Sequence, residues 1–351
     1  MNIFVIIAIS ICTFLLSYAW FMYCAHPQKP KNTFFAACKQ PVVPFGVLGF
    51  IGCTLSYFLT NSIPDTLIPL FYVHLAVFFA SVLCFILICR YCSSNYVQYI
   101  ALLALCLLNT FILPDNVNIF GYIIPSWAER IIVAIIWSLF AQMYFVINGV
   151  DGIVSLQSLS VCLGIMIITV LGMLPIAYGC YSGIFIALFL AFSLINSYPM
   201  SLSLTTSQSR VLGLIIGWLG LLTALEGAGS CFIVLSMYYI YETVIACVKR
   251  LSFQRQFKIL SNNTFYAQLA DAGISPKSIH NVISRINLVI IILACFQMYS
   301  NNEYTVPIVA FFMVFWLSSK IISPEQSNSH ILLTGNLLSL LRKNKDGKED
   351  N

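Results

Sequence analysis

Gln142-Met143-Tyr144-Phe145-Val146-Ile147-Asn148-Gly149-Val150-Asp151-Gly152-Ile153 closes one long apolar run, and apolar sequence resumes at Val161. Two glycines three apart bracket an acid, in a chain that otherwise carries few acids. Glycine and short polar residues let a backbone turn where a spanning helix must stop. A polar, glycine-punctuated turn at the end of an apolar helix is where a membrane protein places chemistry, and it also serves as a plain turn.

The surrounding composition fixes the class. Of 351 residues, 60% are hydrophobic and 8% charged, with a mean hydropathy of +0.92; a soluble domain carries about 25% charged residues. Outward from the turn the sequence offers eleven runs near the roughly 20 residues that a helix needs to cross a bilayer core. They lie near 3–24, 45–60, 67–89, 96–113, 128–147, 158–176, 181–198, 211–225, 229–248, 286–300 and 305–321. Continuous apolarity without period-two alternation predicts helices rather than a barrel. The expected fold is therefore all-α and polytopic: one transmembrane domain over 1–322 and a cytoplasmic tail over 323–351. The first run is too long for a signal-peptide core and is expected to be an uncleaved span.

Basic residues orient the spans, because cytoplasmic loops retain Lys and Arg. With the N-terminus outside and the C-terminus inside, fifteen of the 17 basic residues fall in inner segments, Lys320 stands at their border, and Arg130 is the exception. Asp65, Asp115, Glu129, Glu226 and Glu303 fall outside. Asp151 then faces the cytoplasm. Glu129 and Arg130, adjacent at a helix end, are expected to be an interfacial anchor. The cysteines inside apolar runs read as small hydrophobes, and Cys89-Arg90-Tyr91-Cys92 lacks the further ligands that a zinc site requires. His26, His74, His280 and His330 have no metal-ligand spacing.

Four inner segments carry polar residues in an ordered spacing: 90–95, Asn148 to Asp151, Asn196 to Arg210, and 249–285. Their order resembles the polyprenyl-phosphate N-acetylhexosamine-1-phosphate transferases. The family pattern N-L-Y-N-F-M-D-G-I-D-G-I is tracked by Gln142 to Ile153. Tyr144, Gly149, Asp151, Gly152 and Ile153 are kept, while the two asparagines have become Gln142 and Phe145 and the first aspartate Asn148. The frame N-x-x-P-A-K-x-F-M-G-D-x-G-S-x-x-L-G is matched at Asn196, Pro199, Ser209, Leu212 and Gly213, with Thr206 at the metal-binding aspartate. Glu242 to Arg250 echo D-A-T-x-T-L-x-R-R, with Lys249 and Arg250 at its basic pair. The histidines that follow in the family fall on Ser261, Asn262, Asn263 and Thr264.

The resemblance implies transfer of a sugar 1-phosphate from a UDP-sugar to polyprenyl phosphate, in the cytoplasmic membrane of a bacterium, within peptidoglycan or O-antigen synthesis. It implies Mg²⁺ at Asp151 and the Thr206 position, Asp151 and Asn148 as catalytic groups, and Asn196, Glu242, Lys249, Arg250 and Lys258 as substrate contacts. Joining two phosphates needs a cation to neutralise charge, and Mg²⁺ takes hard oxygen ligands, normally one or two carboxylates. Only Asp151 remains of the family's acidic positions, so catalysis is expected to be weakened or lost. The competing reading is an inactive homologue that holds a polyprenyl phosphate or a partner transferase, homo- or hetero-oligomeric, through Lys249, Arg250, Arg255 and Lys258. A transporter would favour charges within the spans, and these are nearly uncharged apart from Glu242. Lipid is the expected surroundings and no nucleic-acid partner is expected.

Overall fold

A computed structural model describes residues 3–25, 40–60, 68–113, 119, 124–148, 152–196, 202, 204–252, 276–300 and 302–320. Among these residues the chain is all helix, without a strand. The helices are α1 (Ile3–Ala25), α2 (Val43–Thr60), α3 (Ile68–Tyr91), α4 (Asn95–Phe111), α5 (Ser126–Ile147), α6 (Ile153–Val170), α7 (Ile176–Asn196), α8 (Thr206–Leu225), α9 (Gly229–Leu235), α10 (Met237–Ser252), α11 (Pro276–Tyr299) and α12 (Thr305–Lys320). Seven of them are long and apolar enough to cross a bilayer, and α9 with α10, bent by 63° at Ser236, makes an eighth. Large apolar side chains such as Leu15, Leu87, Ile136, Ile292 and Phe312 are exposed on the outside of the bundle. In water such a surface would aggregate; in lipid it is the natural face of a span. The protein is a polytopic, all-α integral membrane protein.

The bundle is built around α8, which packs against α3, α5, α6, α7 and α9. Every residue from Val211 to Thr223 is buried. Close approach is possible because the facing residues are glycines. A methyl group on Gly213 would lie 2.7 Å from the Cα of Ala141, and one on Gly217 would strike the Trp137 ring. Trp137 then donates its indole N–H to the Leu214 carbonyl at 3.0 Å, fixing α5 to α8. On the other side Trp218 stacks on Phe78, with ring centroids 4.5 Å apart, and donates to His74 Nε2 at 3.2 Å.

Several helices start earlier than the apolar runs. The run at 211–225 is the C-terminal part of α8, whose N-terminus is set by a capping box: Thr205 Oγ1 accepts from the Gln208 backbone and Gln208 Oε1 from the Thr205 backbone. Residues 206–210 are thus helical, not loop. Likewise 286–300 corresponds to the C-terminal part of a helix beginning at Pro276, and 158–176 to a helix beginning at Ile153. The start of α6 depends on Gly152, whose φ of 80° suits glycine alone. The expected tail over 323–351 lies outside the described residues.

Glu129 and Arg130 are not an interfacial anchor. Both are buried, at 4% and 6% exposure. Glu129 Oε1 accepts from the Ile119 backbone N–H, and Arg130 Nη1 donates to the Thr110 carbonyl. The pair ties the chain before α5 to the end of α4, beside a cavity of about 10 Å³, room for no more than one water.

Candidate functional site

Three of the four polar segments meet at one end of the bundle, where α3 passes to α4, α5 to α6, and α7 to α8. Asn196, the last residue of α7, accepts from the Gly152 N–H through Oδ1 at 3.1 Å and donates from Nδ2 to the Leu202 carbonyl at 2.8 Å. Asn148 donates to the Leu204 carbonyl at 3.1 Å. The first motif turn is therefore pinned to the second by two asparagine side chains that satisfy backbone groups a turn leaves open. The third segment joins through Cys89, whose thiol approaches the Ser207 carbonyl at 3.5 Å.

At the centre of this end stands Arg210, on the second turn of α8 and 3% exposed. Its Nε donates to Gln142 Oε1 at 3.0 Å, Nη1 to Gln98 Oε1 and Nη2 to Asn95 Oδ1 at 3.2 Å. The guanidinium lies over the Phe145 ring, 4.1 Å from its centroid, within the range of a cation–π contact. Gln98 in turn donates to the Cys92 carbonyl at 2.6 Å and so holds the turn before α4. Gln142 and Phe145 are the two positions that carry asparagine in the family pattern. Both contact the same arginine. In the sequence Arg210 is one of fifteen basic residues assigned to inner segments, and its one distinguishing signal is its place immediately before the apolar run that begins at Val211.

The remaining expected site residues distribute as follows. Asp151 and Lys258 lie outside the described residues, as do the side chains of Thr206, Lys249 and Arg250, whose backbones are helical. Tyr144, kept from the motif, is core: it stacks on Tyr239 at 4.3 Å, and both hydroxyls lie 3.2 Å from Ser158 Oγ. Glu242 is fully buried on α10 and accepts from the Tyr238 hydroxyl at 2.8 Å. Tyr239 faces α5 and α6 while Tyr241 faces Phe311 and Phe315 of α12. The helical period puts Tyr238 and Glu242 between those directions, toward α11, which packs on both α6 and α12. On α6 and α11, Gln157 and Asn287 are buried with both amide atoms unpartnered. Each lies one heptad before a residue that meets α9: Gly164, seven after Gln157, approaches Leu235, and Ala294, seven after Asn287, accepts from Cys231.

Asp151 and the Thr206 side chain, the two positions at which the resemblance implies Mg²⁺, lie outside the described residues, and the described side chains at this end supply neutral amides and a cation. Asn196 uses both ends of its amide on the backbone, so of the two described asparagines at this end only the neutral Oδ1 of Asn148 is left open. Among the described residues no three His, Cys, Asp or Glu side chains gather as metal ligands, and the guanidinium of Arg210 stands among these turns instead. Compared with known proteins, the chain matches no protein-family model and no curated sequence.

Proposed function

We propose that this protein is a divergent relative of the polyprenyl-phosphate sugar-1-phosphate transferases in which Mg²⁺-dependent transfer is weakened or lost and a phosphate-holding membrane face is kept. The observation that carries the reading is the convergence of the 90–95, 148–152 and 196–210 segments, far apart in sequence, at one end of the bundle. The same reading takes the three shorter apolar helices, Val43–Ser56, Asn95–Phe111 and Thr305–Ser318, as further spans. With the seven long helices and the bent pair they make eleven, which leaves the N-terminus outside, the C-terminus inside and the convergent end in the cytoplasm of a bacterial cell. Loss of chemistry is supported by the sequence: neutral Asn148 and Thr206 stand where the family pattern has carboxylates, which Mg²⁺ prefers, and of its acids only Asp151 is kept. Losing even one preorganised charge stabiliser costs roughly 10²- to 10³-fold in rate.

The test combines turnover and retention. Purified protein is incubated with UDP-sugars, undecaprenyl phosphate and Mg²⁺; the expected result is little or no UMP release together with stable retention of the lipid phosphate. UMP release at the rate of an intact transferase would overturn the loss of catalysis. Failure to retain any lipid phosphate or a transferase partner would remove the reason for a scaffold role.

A further inference from the structure

Arg210 is a buried cation whose every described partner is neutral. Three of its five N–H groups are used, by Gln142, Gln98 and Asn95, and Phe145 covers one face. No described residue supplies it with a carboxylate. Uncompensated buried charge is expensive, and an ionisable side chain within a span is a candidate site by default. Among the described residues, what remains open around it is donor in character. Two guanidinium N–H groups have no described partner, and Gln142 Nε2, whose companion oxygen is already taken by Arg210, is buried and unpartnered. Both ends of the Gln98 amide are engaged, so it is a fixed wall rather than a further ligand. Asn95 is exposed, and with the exposed Ser93, Ser94 and Arg90 it brings the cluster's rim to the surface of the bundle.

A set of donors around a guanidinium with no carboxylate among its described partners is complementary to an anion with several acceptor oxygens. The planar fork suits a phosphate, which it can bind in bidentate fashion. The cluster lies at the end of the bundle, where helix gives way to turn and lipid headgroups are found. We propose that Arg210, Gln142 and Asn95 form a binding site for a phosphate monoester, the headgroup of an anionic lipid. The proposal rests on the preceding reading only for the lipid that the phosphate carries. Binding would complete the coordination of Arg210 and Gln142, so the loaded protein is the more stable one.

The full chain, reconstituted in phosphatidylcholine nanodiscs, is tested with two probes: phosphatidic acid doped into the disc, and inorganic phosphate in solution. Thermal unfolding midpoint and lipid retained in native mass spectrometry are the readouts. Phosphatidic acid should raise the wild-type midpoint. Arg210→Gln should weaken binding by about 10- to 100-fold, the loss expected for charge-assisted hydrogen bonds. Arg210→Lys keeps the charge without the fork and should fall between; Asn95→Ala, at the exposed rim and without a packing role, should weaken binding by roughly fivefold. A response to inorganic phosphate alone, lost in Arg210→Gln, would keep the phosphate site and overturn its assignment to a lipid headgroup. Equal lipid binding by wild type and all three variants would overturn the site while leaving lipid-phosphate binding elsewhere intact. No response of the wild type to either probe would overturn both.

Discussion

The guanidinium of Arg210 lies 4.1 Å from the centroid of Phe145, joining the start of α8 to the end of α5. Removal of the ring should therefore be felt by the cation. Phe145→Leu keeps most of the apolar volume and deletes the π face, at a cost of about 1–2 kcal/mol for a desolvated pair. In an Arg210→Gln background the same change should cost distinctly less. A double-mutant cycle on chemical unfolding gives the coupling directly; two additive single changes would mean that the contact has no energetic weight.

The approach of α5 to α8 depends on one missing methyl group. In Gly213→Ala the added carbon would meet the Ala141 backbone at 2.7 Å, and no side-chain rotation can relieve that clash. Overpacking of this kind costs about 1–3 kcal/mol, seen as a lower unfolding midpoint. Gly183 on α7 is the control: its methyl would meet only Ser10 Oγ at 3.6 Å. Gly183→Ala should be neutral or stabilising by up to about 1 kcal/mol through helix propensity.

Asn196→Ala should loosen the motif turn before it affects the core. The substitution leaves the Gly152 N–H and the Leu202 carbonyl without their partners, each costing about 1–3 kcal/mol where no water replaces the amide. Hydrogen exchange at residues 152–155 should accelerate while exchange in the middle of α8 stays slow. Uniform acceleration of both would show that Asn196 supports the whole bundle rather than the turn.

Gln157 and Asn287 bring polar atoms into the core without using them. Replacing each by Leu removes buried, unpartnered amides, so the unfolding midpoint should rise, by an amount corresponding to about 1–3 kcal/mol per site. A fall in the midpoint would mean that water or a polar ligand satisfies them.

The helices were legible because an apolar stretch with no water to bond must satisfy its backbone internally, and runs such as Ala128 to Ile147 leave no other option. Polar helix was harder to read. Residues 206–210 carry the hydropathy of a loop, and only the reciprocal capping of Thr205 and Gln208 makes them the first turns of α8. The burial of Glu129 and Arg130 was hidden because their partners, Ile119 and Thr110, are backbone groups of the preceding segment. Within the candidate site, the motif spacing located the two turns that Asn148 and Asn196 pin together. The hub was invisible: the partners of Arg210 lie 68, 112 and 115 residues away. No local pattern encodes contacts of that separation.

The central place of α8 also has a meaning in time. Synthesis runs from the N-terminus, so α1 to α7 emerge before the helix around which α3, α5, α6 and α7 pack. Until Thr206 to Leu225 is made, Gln98 and Gln142 lack the arginine they will hold, and Trp137 and Ala141 face an empty groove. The nascent helices must therefore wait in the membrane without their central partner, and a chain ended before Thr206 should be cleared by quality control rather than persist as a smaller protein.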